Sequence, residues 1–388
     1  MDKEMYKLDF LFLVENANLR GGTEIQTINI THALIEANYR ARVLSVVPYS
    51  GDDDVILSFD LKSYRIYKKQ KKNPINDLCT ERFSDAYLAK LLRVFIETYQ
   101  PKVLVNETYE LITTLPFGGQ CRIVQVFNWS IFGYEESILQ IIHQKHGWMR
   151  FLSMKKNVRQ VTKRHAAIAL CNDLIVLTNT AKRELKMVNH KIKETQIRVI
   201  ANPLRKSDDA KNISSLDNRN IVFVGRLSFE KGVMRLLHIW QSISRQFHDY
   251  TLSVYGEGDA KDQMEQYIQE NGMRNIRFCG FEQDLSKIYL SADLLLSTSE
   301  SEGFGLVFIE AFYYGVPVVS FNCPVSPKEV IADAGVLIDC FDEQAYATQV
   351  MTLLHDKEKL RMLQRKAVER ARCFYQSRIV SQWVKLVE

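Results

Sequence analysis

Residues 299–319 read SESEGFGLVFIEAFYYGVPVV, preceded by a short apolar run at Leu294–Ser297 and ending in a second one that begins at Val318. The flanking runs are short and aliphatic and read as buried strands, whereas Leu306–Tyr314 carries a helical pattern. Gly315 stands where a helix commonly ends in a left-handed residue, with Pro317 just beyond it. Strand, glycine turn, helix and strand make one βα unit of a parallel sheet. Gly303 and Gly305 at the helix start let backbone amides approach a ligand, with the positive end of the helix toward it, which favours phosphate or sugar oxygens. Glu302 in the loop and Glu310 in the second turn accept hydrogen bonds from vicinal diols strongly because they are charged. The alternative is that both are solvated helix-end charges.

The same unit recurs along the chain. Candidate strands fall at Phe10–Val14, Arg42–Val47, Val103–Asn106, Ile123–Phe127, Leu174–Leu177 and Ile197–Ile200, then at Ile221–Val224, Leu252–Tyr255, Ile276–Cys279, Leu294–Ser297, Val318–Phe321 and Val336–Ile338. Helical patterns such as Thr23–Ala37 and Val233–Phe247 lie between them. The polar stretch Asn202–Asn220 separates two such series and reads as a domain boundary. Two doubly wound α/β domains facing across a cleft follow, with ligands expected at the carboxyl ends of the strands. A second glycine-bearing turn, VFVGRLSFEKG at 222–232, offers Arg226 and Lys231. Both can point at the strand's carboxyl end, Arg as a fork for a diphosphate and Lys as a compact charge, unless both are surface bases. A third turn, Arg20-Gly21-Gly22-Thr23, follows the first strand and opens a helix as an anion cradle.

The length of 388 residues fits two domains, and 46% hydrophobic with 25% charged residues excludes disorder and collagen. No apolar run approaches the roughly 20 residues of a bilayer span, and the N-terminus does not read as a signal peptide. Seven scattered cysteines without a C-x-x-C pair argue against disulfide frameworks and thiolate metal sites, and point to a reducing cytosol. The net charge of +5 is uneven: residues 1–200 carry 29 Lys and Arg against 21 Asp and Glu, the remainder 22 against 25.

Taken together, Glu302-x7-Glu310 and the upstream GRLSFEKG resemble the retaining glycosyltransferases of family 4, which have the GT-B fold of two Rossmann-like domains. The N-terminal GGTE, Asp173–Thr178, Val199–Pro203, Tyr255–Asp259 and FNCPVSPKEVI at 321–331 extend the resemblance over nearly the whole chain. It implies an acceptor-binding domain at 1–201, a nucleotide-sugar-binding domain at 202–372, and a last segment, 373–388, whose helix returns to the N-terminal domain. It further implies that Arg226 and Lys231 bind and neutralise the donor diphosphate, that Glu310 takes the ribose and Glu302 the donor sugar, and that Gly303, Phe304, Gly305 and Leu306 give backbone contacts. Gly21, Gly22 and Gly225 join the donor contacts, with base recognition around Gly280-Phe281. No metal or other cofactor is implied, since bases, helix ends and backbone donors do the electrostatic work. The co-substrate is a nucleotide-diphosphate sugar, a UDP-sugar being favoured. One departure stands out: the family commonly has a histidine where IVQVFNW carries Asn128, which can bond a sugar hydroxyl but cannot carry a proton. Ser326 replaces a frequent glycine.

Weaker signals remain. Asp52-Asp53-Asp54 contains a D-x-D but reads as a solvated loop. The basic run Lys68–Lys72 and the stretch Lys145–His165, with Trp148, Met149, Phe151, Leu152 and Met154 among its bases, either pack on their own domain or meet an anionic membrane surface. No nucleic-acid module is recognisable. The expectation is a cytoplasmic retaining hexosyltransferase, peripheral at the inner face of the membrane, extending a saccharide or lipid-linked saccharide. Rivals are a phosphorylase or sugar-nucleotide epimerase of the same architecture, and a catalytically silent binder.

Overall fold

The apolar runs fall into two wholly parallel sheets, one in each of two compact units: Met1–Pro203 with Gln376–Glu388, and Leu204–Tyr375. The computed structural model describes residues 7–19, 21–71, 77–119, 121–129, 147–206 and 209–388, with side chains except at 67, 69–71, 77–84 and 147–157. Parallel strands need crossover connections, and helices supply them.

The first unit contains β1 (Phe10–Val14), α1 (Gly22–Glu36), β2 (Ala41–Ser45), β3 (Ile56–Ser58), α2 (Leu61–Lys71), α3 (Asp77–Tyr99), β4 (Val103–Asn106), β5 (Arg122–Phe127), α4 (Gly147–Ile168), β6 (Asp173–Val176), α5 (Asn179–Val188) and β7 (Ile197–Val199). Its strand order is β3-β2-β1-β4-β5-β6-β7, so the winding reverses between β1 and β4. Every residue of β1 and β4 is buried, as expected of strands covered on both faces. At the amino end of β6, Asp173 is buried and held by Arg122 and Arg198.

The second unit contains β8 (Asn220–Val224), α6 (Val233–Ser244), β9 (Thr251–Tyr255), α7 (Lys261–Glu270), β10 (Ile276–Gly280), α8 (Leu285–Tyr289), β11 (Leu294–Ser297), α9 (Leu306–Tyr313), β12 (Val318–Phe321), α10 (Pro327–Ile331), β13 (Gly335–Ile338), α11 (Glu343–His355) and α12 (Lys357–Ala371). Its order is β10-β9-β8-β11-β12-β13, with the reversal between β8 and β11. A final helix, α13 (Gln376–Trp383), belongs to the first unit, where Ile379, Val380 and Trp383 join the core of β1. The rings of Trp383 and Phe12 lie 5.5 Å apart.

The two units divide within the stretch Asn202–Asn220, between Pro203 and Leu204, and its later part packs on the second unit: Leu216 is buried in that unit's core, and Ser214 Oγ donates to the carbonyl of Ala292 at 2.5 Å. The edge strand β3 was not expected; three half-buried residues beside the Asp52–Asp54 turn carry little pattern.

Behind the second sheet, Tyr346 of α11 is fully buried. Its hydroxyl donates to the carbonyl of Val319 at 2.5 Å and accepts from the amide of Ser297 at 3.1 Å, tying the neighbouring strands β11 and β12 together. Tyr346→Phe leaves the ring's packing and removes these bonds, so chemical denaturation is expected to find roughly 1–3 kcal/mol lost.

Candidate functional site

In the second unit the winding reverses between β8 and β11, where α/β sheets bind ligands at the strands' carboxyl ends, and the loops leaving these two strands are joined to each other. The amide of Glu300 donates to the carbonyl of Glu230 at 2.9 Å. Thr298 Oγ1 donates to the carbonyl of Lys231 at 3.1 Å, and Arg235 pairs with Glu300 at 2.6 Å. Gly232 makes this approach possible. Its φ is +66°, and a Cβ there would stand 1.9 Å from the carbonyl oxygen of Thr298.

Across the joined loops Lys231 Nζ lies 2.7 Å from Glu302 Oε1, and Ser299 Oγ donates to the same oxygen at 2.6 Å. The Glu302 side chain is only 9% exposed, so its charge is held by specific donors rather than by water. The cluster presents a fixed ammonium beside a carboxylate. Next to it α9 begins at Leu306, with Gly305 at its cap in a left-handed conformation and no side chain capping its amides. An uncapped helix start beside a fixed cation suits an anionic ligand. Cys323 is no nucleophile in this setting, because burial, with the charge of Glu302 adding, pushes its thiol up to about 12.

The other expected residues sit variously around this cluster. The exposed Arg226 side chain pairs with Glu230, four residues along the same loop. Gly225 closes β8, its amide bonded to the carbonyl of Tyr255. The Phe304 ring is buried edge-on to Phe374, leaving its backbone to the site, and Gly303 lies between it and Glu302. Phe281, just past β10, is exposed. Glu310 is not a solvated helix-end charge: it is half-buried, accepts from the hydroxyl of Tyr289 at 3.3 Å, and burial pushes its carboxyl up to about 7. Tyr289 was not foreseen.

The first unit has a corresponding feature at its own reversal. Gly21 caps α1 without a side-chain bond and Gly22 is the helix's first residue. Asn128, past the end of β5, donates through Nδ2 to Glu107 Oε2 at 2.7 Å. Glu107 is buried, and burial, with the charge of Glu24 adding, holds its carboxyl at about 7. Sequence reading missed Glu107; the signal was an acid placed directly after the buried run Val103–Val105, at the carboxyl end of a central strand. Asp53 is paired with His32 at 3.0 Å rather than merely solvated. Lys72, Lys145 and His146 of the two basic runs lie outside the described residues, as do the side chains of 69–71 and of 147–157, among them Trp148, Met149, Phe151, Leu152 and Met154; Arg164 stacks on the Tyr109 ring of its own domain.

Glu107 gives a pH signature. Its folded pKa of about 7 stands above the ordinary value of 4.5, so the folded state holds the extra proton between these limits. Its contribution to stability therefore falls as pH rises through that window and is flat beyond it. Glu107→Gln is expected to raise the melting temperature at pH 8 while leaving it nearly unchanged at pH 4.5; equal shifts at both would contradict the assignment.

Comparison with known proteins follows the same geography. Residues 205–370, the second unit almost entirely, match the family model for glycosyl transferases group 1. An uncharacterized glycosyltransferase of Haemophilus influenzae is 25% identical over 324 residues, 82% of each chain. A Campylobacter jejuni enzyme, the GalNAc-alpha-(1->4)-GalNAc-alpha-(1->3)-diNAcBac-PP-undecaprenol alpha-1,4-N-acetyl-D-galactosaminyltransferase, is 27% identical over 58% of this chain and 62% of its own. The crystal structure of a mutant of S. aureus TarM, in complex with fondaparinux, alpha-GlcNAc-glycerol and UDP, superposes with a TM-score of 0.74 at 14% identity, covering 98% of this chain and 100% of that one. The fold is GT-B, and the matched family model and relatives support a glycosyltransferase.

Proposed function

We propose that the protein is a retaining glycosyltransferase of family 4 that moves a hexosyl unit from a nucleotide-diphosphate sugar, a UDP-sugar being favoured, to a saccharide acceptor. The reading is carried by the Lys231–Glu302–Ser299 cluster beside the uncapped start of α9. Departure of a nucleoside diphosphate builds negative charge, and a preorganised ammonium with free amides nearby stabilises it without reorganisation. Arg226 exchanges Glu230 for the diphosphate and adds a second charge. These two bases do the work a metal ion does elsewhere, so no cofactor is required.

Glu302 receives hydroxyls of the transferred sugar, and Glu310, with Tyr289, those of the ribose. Gly303, Phe304, Gly305 and Leu306 give backbone donors, Gly225 allows close approach, and Phe281 flanks the base. In the first unit Gly21 and Gly22 form the anion cradle, and Asn128 orients Glu107. The acceptor is a lipid-linked saccharide of surface-glycan assembly at the cytoplasmic face of a membrane; the undecaprenol-linked substrate in the Campylobacter relative's name supports this class.

A thermal-shift series with UDP, GDP and ADP is expected to single out one diphosphate, by mass action. Lys231→Ala and Arg226→Ala are expected to lose that shift. Sugar transfer by Lys231→Ala, Arg226→Ala and Glu302→Ala is expected to fall by about a hundredfold or more. Arg226→Ala is expected to melt close to wild type, whereas Lys231→Ala, which strips the buried Glu302 of its cation, is expected to melt lower while still unfolding cooperatively. Transfer is expected to persist in EDTA. Near wild-type turnover in the three variants sinks the reading.

A further inference from the structure

Within the first unit, a small pocket lies at the sheet reversal, between the first turns of α1 and the ends of β4 and β5. Thr23, Gln26, Glu107, Asn128, Asn202 and Trp383 are among the residues lining it, and its free volume of about 10 Å³ accommodates one oxygen-sized group. Gln26 is buried, and its Oε1 has no hydrogen-bond partner among the described residues. A buried amide oxygen without a donor is costly, so this atom calls for a donor group that fills the pocket. A hydroxyl serves whichever way the amide is turned, because it both donates and accepts. On the facing strand ends, Glu107 is held in place by Asn128 at 2.7 Å, giving the pocket a second acceptor aimed by a fixed neighbour. Trp383, buried in the core against Phe12, closes one side of the pocket with a rigid wall.

We infer that this pocket is an acceptor-side specificity subsite that admits one hydroxyl group of a saccharide, with Gln26 and Glu107 as the residues that select for it. The inference rests on the glycosyl-transfer reading and deepens it. A pocket of this size rejects a bulkier substituent by shape and rejects the deoxy sugar by leaving Gln26 unpaired.

The test uses the full chain and ligand-observed NMR titrations with methyl glycosides of glucose, galactose, mannose, N-acetylglucosamine and N-acetylgalactosamine, each beside its monodeoxy analogues. At least one parent glycoside is expected to bind, and one of its deoxy analogues to bind about tenfold more weakly. Gln26→Leu, which replaces the amide with an apolar group of similar bulk, is expected to bind parent and analogue alike at the weaker level. Glu107→Gln provides a second variant should Gln26→Leu misfold, and is likewise expected to narrow the difference. Failure of every glycoside to bind, deoxy analogues all binding as well as their parents, or variants with undiminished preference would each overturn the inference, the pocket then holding only water. The nucleotide thermal shift is recorded on the same samples. If that shift is intact while the glycoside arm fails, the subsite alone falls; if no nucleotide shifts the wild type, the transfer reading falls with its own evidence.

Discussion

The contact between the loops after β8 and β11 is the constraint on which the second unit's site depends. Neighbouring parallel strands at a winding reversal send their loops away to helices on opposite faces, so each loop would ordinarily be solvated separately. Backbone and side-chain bonds from Glu300 and Thr298 to Glu230 and Lys231 bring them together instead, and Gly232 removes the one Cβ that would forbid it. Lys231 then has a fixed counter-charge in Glu302 and loses little freedom when a ligand arrives. A flexible surface lysine would have to surrender rotamer entropy at that moment.

The two units solve the same architectural problem with different chemistry. Each puts a carboxylate at the carboxyl end of its reversal strand or in the loop beyond it: Glu107 after β4, Glu302 after β11. In the second unit the acid meets an ammonium and a hydroxyl and is held as an ion pair. In the first its side chain accepts from the Asn128 amide, and burial, with the charge of Glu24 adding, leaves it poised near neutrality. Glu310 resembles Glu107, with a phenol as its partner. An acid poised in this way can accept or donate toward a polar ligand, whereas the ion-paired acid only accepts.

Much of the fold was legible because parallel strands buried on both faces are written as unbroken apolar runs, and β1, β4, β11 and β12 fell on the stretches expected of them. The short edge strand β3 had no such run. At the site, Glu302, Glu310 and Lys231 were visible through glycine turns that follow strands. Their partners were not, because Lys231 meets Glu302 only once β8 and β11 are in register, a relation with no local trace. Gln26 and Glu107 escaped for a related reason: a lone polar residue on a helix or at a strand end looks ordinary until its burial is known. Arg226 was legible as a base of the loop, but not its engagement with Glu230, since exposed arginines choose partners by short-range geometry.

The last helix has a consequence for the order in which the chain can mature. Phe12 leaves the ribosome long before Trp383, with the whole second unit between them, yet both belong to one core with Ile379 and Val380. The early-made sheet must therefore wait, with one apolar face incompletely covered, while the second unit is synthesised and folds on local contacts of its own. Vectorial synthesis thus delivers the lobe begun first as the lobe completed last.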